Sequence, residues 1–165
     1  MGVGKTTLAV EIAASLSYKY HFKVLLLDLD PQTNATFYLR DETDWDEWQG
    51  QNGSLKNVIQ SSTSGGTFDV QNAIIHDLPV GLDLLPSHLD LLSIDLELAN
   101  RWGPTGIVGK SILKRALTPV YDKYDYVICD CPPNLNLVTQ NALIASESIV
   151  IVAMPEYLST IDIGF

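Results

Sequence analysis

The sequence predicts an α/β fold: a three-layer α/β/α sandwich built on a mostly parallel sheet. Three observations carry that reading. A glycine-rich loop, Met1-Gly-Val-Gly-Lys-Thr-Thr7, runs straight into a helical pattern. A nearly unbroken apolar run from Lys23 to Leu29 ends around the acidic residues Asp28 and Asp30, and a second run, Tyr124 to Asp130, again closes on an aspartate. Continuous apolar runs are what strands covered on both faces require, and the helices between them supply the covering layers.

The loop carries the first chemistry. Gly2 and Gly4 can take positive φ and, with Val3 between them, turn successive amides toward one point. Lys5 adds a mobile cation for β- and γ-phosphates, Thr6 a hydroxyl ligand for Mg²⁺, and Thr7 a hydroxyl near an α-phosphate, all over a helix N-terminus. The bland alternative is a helix start that happens to be rich in glycine. G-K-T-T directly before a helical pattern favours the nucleotide reading.

Taken in order, Leu8, Ile12 and Leu16, with Ala9 and Ala13 beside them, fall at helical spacing between Thr6 and Lys19 and are expected to face a core. His21 stands where that helix should end. The strand from Lys23 carries Asp28 and Asp30 to the C-terminal edge of a parallel sheet, which is the edge where ligands bind. Standing alone, the pair could equally end a strand and cap the next helix. Arg40 to Gly53 reads as an acidic surface loop, its five carboxylates from Asp41 to Glu47 interleaved with Trp45 and Trp48, for which local packing is favoured over a partner anchor.

Leu55, Val58 and Ile59 mark a short helix closed by a turn at Ser61 to Gly66. Ala73 to Ile75 and Leu82 to Leu85 read as short antiparallel strands about Pro79-Val-Gly81. Leu89, Leu92, Leu96 and Ala99 give one helical face, broken at Trp102-Gly-Pro-Thr-Gly106, and Lys110 to Val120 is a further amphipathic helix. After the Tyr124 strand, Leu135, Val138, Ala142 and Ala145 give another helix face, Ser148 to Ala153 a strand, and Met154 to Tyr157 a strand-to-helix junction. Asp130, at the end of its strand, can hold Mg²⁺ through a water while Thr6 binds it directly.

Three segments together resemble one family. Met1 to Thr7 is similar to the deviant Walker A motif, K-G-G-V-G-K-[ST]-[ST], of the ParA/MinD ATPases, which include plasmid and chromosome partition proteins. Asp28-Leu-Asp-Pro-Gln-Thr-Asn34 resembles the family's D-x-D-P-Q-G-N, with Thr33 where the motif has glycine, and Asp130-Cys-Pro-Pro133 resembles its D-x-P-P segment. The resemblance implies a P-loop topology over residues 1–165, a partial nucleotide-binding domain of ParA/Soj type that is truncated at both ends and lacks the first strand. Met1 stands at the motif's first glycine, and the leading signature lysine is absent.

By the same resemblance, Asp30 would orient the attacking water beside Lys5, Asp28 would join the Mg²⁺ shell with Thr6 and Asp130, and Pro31 to Asn34 would form a nucleotide-responsive switch. The implied activity is ATP hydrolysis in plasmid or chromosome segregation, through a homodimer formed when ATP is bound, a ParB-like adaptor, and DNA contacts in regions outside this chain. Two rival readings stay open: a noncatalytic nucleotide-dependent interaction module, and a MinD-like membrane-positioning ATPase, which would need a basic amphipathic helix that the sequence does not contain.

Composition bounds these readings. With 46% hydrophobic and 18% charged residues the chain can bury one sizeable core. A formal net charge of −10 argues against unassisted nucleic-acid binding by this segment. No apolar stretch is long enough to span a membrane and no signal pattern opens the chain, so the cytoplasm is the expected compartment, with nucleoid association following from the resemblance. Cys129 and Cys131, expected to alternate between strand faces, read as buried thiols rather than a disulfide or metal-cluster ligands.

Overall fold

The computed structural model describes residues 3–64, 66, 68–102 and 111–153. Gly2 of the loop, the break after Trp102 and the junction from Met154 lie outside the described residues. Helix α1 (Lys5–Tyr20) leads to strand β1 (Val24–Asp28), and helices α2 (Asn34–Leu39), α3 (Glu42–Asn52) and α4 (Leu55–Ser64) follow. A hairpin of β2 (Ile75–Leu78) and β3 (Leu82–Leu85) comes next, then α5 (Leu91–Trp102), α6 (Ile112–Leu117), β4 (Tyr126–Asp130) and α7 (Leu137–Ala145).

The four strands form one sheet in the order β2-β3-β1-β4. β1 runs parallel to β3 on one side and to β4 on the other, and only β2 is antiparallel. The apolar run of β1 explains its central place: every residue from Val24 to Asp28 is buried, as a strand paired on both edges and covered on both faces demands. Leu25 and Leu27 point to one core with Val58 of α4, Leu98 of α5, Leu113 of α6 and Val138 of α7. Val24 and Leu26 point to the other, with Val10 and Ala13 of α1 and Ile75 and Leu78 of the hairpin. Those two cores define the three layers.

Several local expectations change. Within Arg40 to Gly53, expected as a loop, Glu42–Asn52 is helical: the Asp41 carboxylate accepts from the Thr43 amide at 2.9 Å as an N-cap, with Glu42 and Asp44 in the first turn. Trp45 is buried, and Arg40 stacks 5.4 Å from the Trp48 ring, which is the packing role expected of the tryptophans. The Ser61 turn is absorbed into α4, which runs to Ser64. The first hairpin strand lies later than its pattern indicated, because Val70–Ala73 forms a 3-10 turn capped by Asp69.

Two helices present a different face from the one read. On α5, Leu91, Ile94 and Leu98 are buried while Leu92 and Leu96, with Leu89 just before the helix, stay exposed; the segment has two leucine-rich stripes, and tertiary contact selects between them. On α1, Val10, Ala13 and Ser17 face the core, whereas Leu8 and Ile12 line a trough of about 860 Å³. That trough runs along the outer edge of β4, with which no strand pairs among the described residues.

Ile149, Val150 and Val152 line the trough as well. The strand expected at Ser148 to Ala153 does not form there, and Ile149, Val150 and Ile151 are 64%, 69% and 72% exposed. The segment has no strand beside it, among the described residues, to satisfy its backbone. Cys129 and Cys131 are free thiols that back the same core, since residues two apart along a strand point the same way. Among the described residues no helix is long and apolar enough to cross a membrane.

Candidate functional site

The site gathers at the C-terminal edge of the parallel strands. Gly4 caps α1 in the left-handed region at φ 86 and accepts the Leu8 amide at 2.9 Å. No heavy atom lies within 4 Å of where a Cβ would stand, so the cap faces open space. No side chain caps α1 and no acidic residue occupies its first turn, which leaves its leading amides and the positive end of its dipole available to an anion.

β1 and β4 bring two aspartates to that point in register, Asp28 beside Asp130. Asp130 is 2% exposed and its Oδ2 has no hydrogen-bond partner. Burial holds its carboxyl above the usual range; the Thr6 hydroxyl pulls it back, the Asp30 carboxylate raises it further, and the Lys5 ammonium opposes that rise. Lys5, Thr6 and Asp30 therefore all lie close enough to Asp130 to act on its charge.

Asp28 is finished differently. Its Oδ2 accepts from the Thr36 amide at 2.8 Å and the Thr36 hydroxyl at 2.7 Å, and its Oδ1 accepts from the Asp30 amide at 3.2 Å. It is wholly buried, and burial pushes its carboxyl up to about 7 despite those donors. The carboxylate thus organises the loop that carries Asp30. In that loop the Asp30 Oδ1 accepts the Gln32 amide at 2.9 Å and the Asp30 carbonyl accepts the Thr33 amide at 2.9 Å. Thr33 takes φ 56 at the start of α2, a left-handed conformation that glycine adopts without strain.

Of the residues singled out from sequence, Val3 and Thr7 are exposed at the loop and helix start, and Lys5 and Thr6 are half-buried. Gly2 lies outside the described residues. Two residues escaped sequence reasoning: Thr36 and Ser87, both fully buried beside the Asp30 loop. The available signal was position, since Thr36 stands two residues past the Asp28 to Asn34 motif, in the first turn of α2, and Ser87 leaves β3 at the same sheet edge as Asp28.

A left-handed glycine opening a helix, faced by strand-end aspartates of a parallel sheet, defines a class: α/β proteins built to hold a nucleotide phosphate chain. The AAA domain family model matches residues 1–163, and the chain belongs to that family, as a ParA-like P-loop ATPase. It is similar to the sporulation initiation inhibitor protein Soj of Bacillus subtilis, 39% identical over 156 residues, covering 94% of this chain and 55% of Soj. It is also similar to the chromosome partitioning protein ParA of Myxococcus xanthus, 34% identical over 166 residues, covering 94% of this chain and 50% of that protein. Among solved structures, cobyrinic acid a,c-diamide synthase from Mycobacterium smegmatis with bound ADP and magnesium is 34% identical with a TM-score of 0.71, over 88% of this chain and 52% of the other. The chain spans about half the length of the relatives it matches.

Proposed function

We propose that this chain forms the nucleotide site of a Mg²⁺-dependent ATP hydrolase of the partition type, acting in plasmid or chromosome segregation. One observation carries the reading: the buried Asp130, one of whose oxygens has no partner, ends β4 in register with Asp28 and feels Thr6, Asp30 and Lys5, while α1 starts on the open Gly4 cap. Relatives at 39% and 34% identity named as Soj and ParA support the biological assignment.

The residues fit ATP and Mg²⁺. The orphaned Asp130 Oδ2 is an oxygen donor of the kind a hard cation takes, and the space before Gly4 admits phosphate oxygens that a Cβ would crowd. Thr6 and Asp130 would hold the metal, and Asp28, expected from the resemblance in the same shell, would support them from behind because both its oxygens are taken up by Thr36 and the Asp30 amide; when bound, the metal supplies charge neutralisation at the β- and γ-phosphates. The amides of Gly2, Val3 and Gly4 would bind phosphate oxygens, Lys5 would stabilise charge on the transferring phosphoryl group, and Thr7 would contact the α-phosphate. Asp30, its Oδ1 fixed by the Gln32 amide, would align the attacking water with its other oxygen.

The ATP-bound form would pair as a homodimer in the cytoplasm, with a ParB-like adaptor and, through regions beyond these residues, nucleoid DNA as partners. Lys5→Ala should abolish ATP binding in a calorimetric titration; unchanged affinity would overturn the assignment.

A further inference from the structure

Thr36 and Ser87 form a buried polar chain that no catalytic role above uses. The Thr36 hydroxyl donates to Asp28 Oδ2 at 2.7 Å and accepts the Ser87 amide at 3.1 Å. The Ser87 hydroxyl donates to the Asp30 carbonyl at 2.6 Å. Both side chains are 0% exposed. Alanine or valine would fill the same space without a polar group to satisfy, so hydroxyls here act through direction rather than volume.

What they direct is the backbone on either side of the Asp30 carboxylate. Asp30 is held from behind by its amide on Asp28 and from the flank by its carbonyl on Ser87, while the Leu29 amide bonds the Asp130 carbonyl at 2.9 Å. With the chain fixed at these points, the carboxylate keeps only its side-chain rotation, and the Gln32 amide takes up one oxygen. Ser87 in turn follows Pro86, whose carbonyl accepts the Leu55 amide of α4 at 3.0 Å. The exit of β3 therefore connects the Asp30 loop to the helical layer.

We propose that Ser87 and Thr36 are positioning residues that set the orientation of Asp30 toward the reacting phosphate. This rests on the hydrolase reading above. Catalytic groups lose rate steeply when their supporting contacts loosen, even where substrate still binds.

The test compares Ser87→Ala, Ser87→Thr, Thr36→Val and Thr36→Ser in the whole protein, reading kcat and KM for ATP together with equilibrium ATP affinity. Ser87→Ala, which loses one buried hydrogen bond, should lower kcat by about tenfold, and Thr36→Val, which loses two, by at least as much, both with ATP affinity within about twofold of wild type. The hydroxyl-preserving Ser87→Thr and Thr36→Ser should restore most of the rate. In an Asp30→Asn background Ser87→Ala should cost nothing further, because its effect passes through Asp30.

Amide exchange with the nonhydrolysable analogue AMPPNP bound provides a readout independent of turnover. Ser87→Ala should speed exchange at Thr33 and Gln32 while leaving Leu25 to Leu27 unchanged. Wild-type kcat in Ser87→Ala, an additive double mutant, or unchanged exchange at Thr33 would each overturn the proposal. If instead Lys5→Ala binds ATP normally, it is the hydrolase reading that fails; the exchange comparison still decides whether Ser87 holds the loop.

Discussion

β1 and β4 lie side by side and end in register on two aspartates, yet they are finished in opposite ways. β1 is buried throughout, paired on both edges, and its Asp28 accepts three hydrogen bonds. Among the described residues β4 is paired on one edge, Tyr126 is 44% exposed at its start, and Asp130 keeps an oxygen without a partner. The same residue type at the same sheet position therefore does two jobs. A carboxylate closed by its own chain fixes a loop, and one left open inside a low-dielectric pocket is free for a ligand.

The contrast is sharpest in stability. Leu26→Ala removes a wholly buried side chain between the sheet and α1 and should cost about 3 kcal/mol. Ile149→Ser, across the trough from β4 and already 64% exposed, should change stability by less than about 0.5 kcal/mol. Urea unfolding of the two variants measures both. A large loss from Ile149→Ser would mean that the outer side of β4 is packed after all and would break the comparison.

The aspartates themselves give a second contrast, smaller in energy but opposite in sign. Asp28→Ala strands the Thr36 amide, the Thr36 hydroxyl and the Asp30 amide in a buried site, and should cost about 2 kcal/mol. Asp130→Ala removes a buried acceptor that lacks a partner; it should leave the ligand-free protein as stable or slightly more so, and should weaken Mg²⁺-dependent ATP binding at least about tenfold. The pH dependence follows from the same burial. Asp28, raised from 3.8 to about 7, holds a proton in the folded state over a range where the unfolded chain has released it. Its contribution therefore falls as pH rises through that window and is level above it. Asp130 is shifted in the same direction. Urea midpoints at pH 5 and pH 7.5 should differ less in Asp28→Asn than in wild type; an unchanged difference would show that Asp28 ionises freely in the folded protein.

Much of this edge was legible in the sequence because it is written in short, local patterns. Gly4-Lys-Thr-Thr7, Asp28-Leu-Asp30 and Asp130-Cys-Pro-Pro133 each place chemistry at the end of an element whose apolar run identifies it. Long-range choices were not legible. Leu89, Leu92 and Leu96 make as good a stripe as Leu91, Ile94 and Leu98, and only the arrival of α4 and α7 decides which is buried. Ser148 to Ala153 reads as a strand in any window, but a strand needs a neighbour. Thr36 and Ser87 are 51 residues apart and meet only because β3 lies next to β1. The helix at Glu42–Asn52 was obscured by its charge, although the Asp41 cap that starts it was in view.

The smallest expected effect separates strain at the site from strain elsewhere. Among the described residues two β-branched ones adopt left-handed backbone, Thr33 at φ 56 beside Asp30 and Val80 at φ 72 in the β2–β3 turn. Val80 is followed by Gly81, also at φ 72, a pairing of positive φ values that hairpin turns fill with Asn-Gly. Val80→Asn should therefore stabilise the protein by about 1 kcal/mol, with no change in nucleotide affinity. Thr33→Gly relieves similar strain and removes a buried hydroxyl that has no partner, but it also frees the chain next to the Asp30 carbonyl and adds backbone entropy to the unfolded state. Its net gain should be under about 0.5 kcal/mol, accompanied by faster amide exchange at Gln32. Equal stabilisation by both substitutions, with exchange at Gln32 unchanged, would show that the strain at Thr33 has no part in holding the loop.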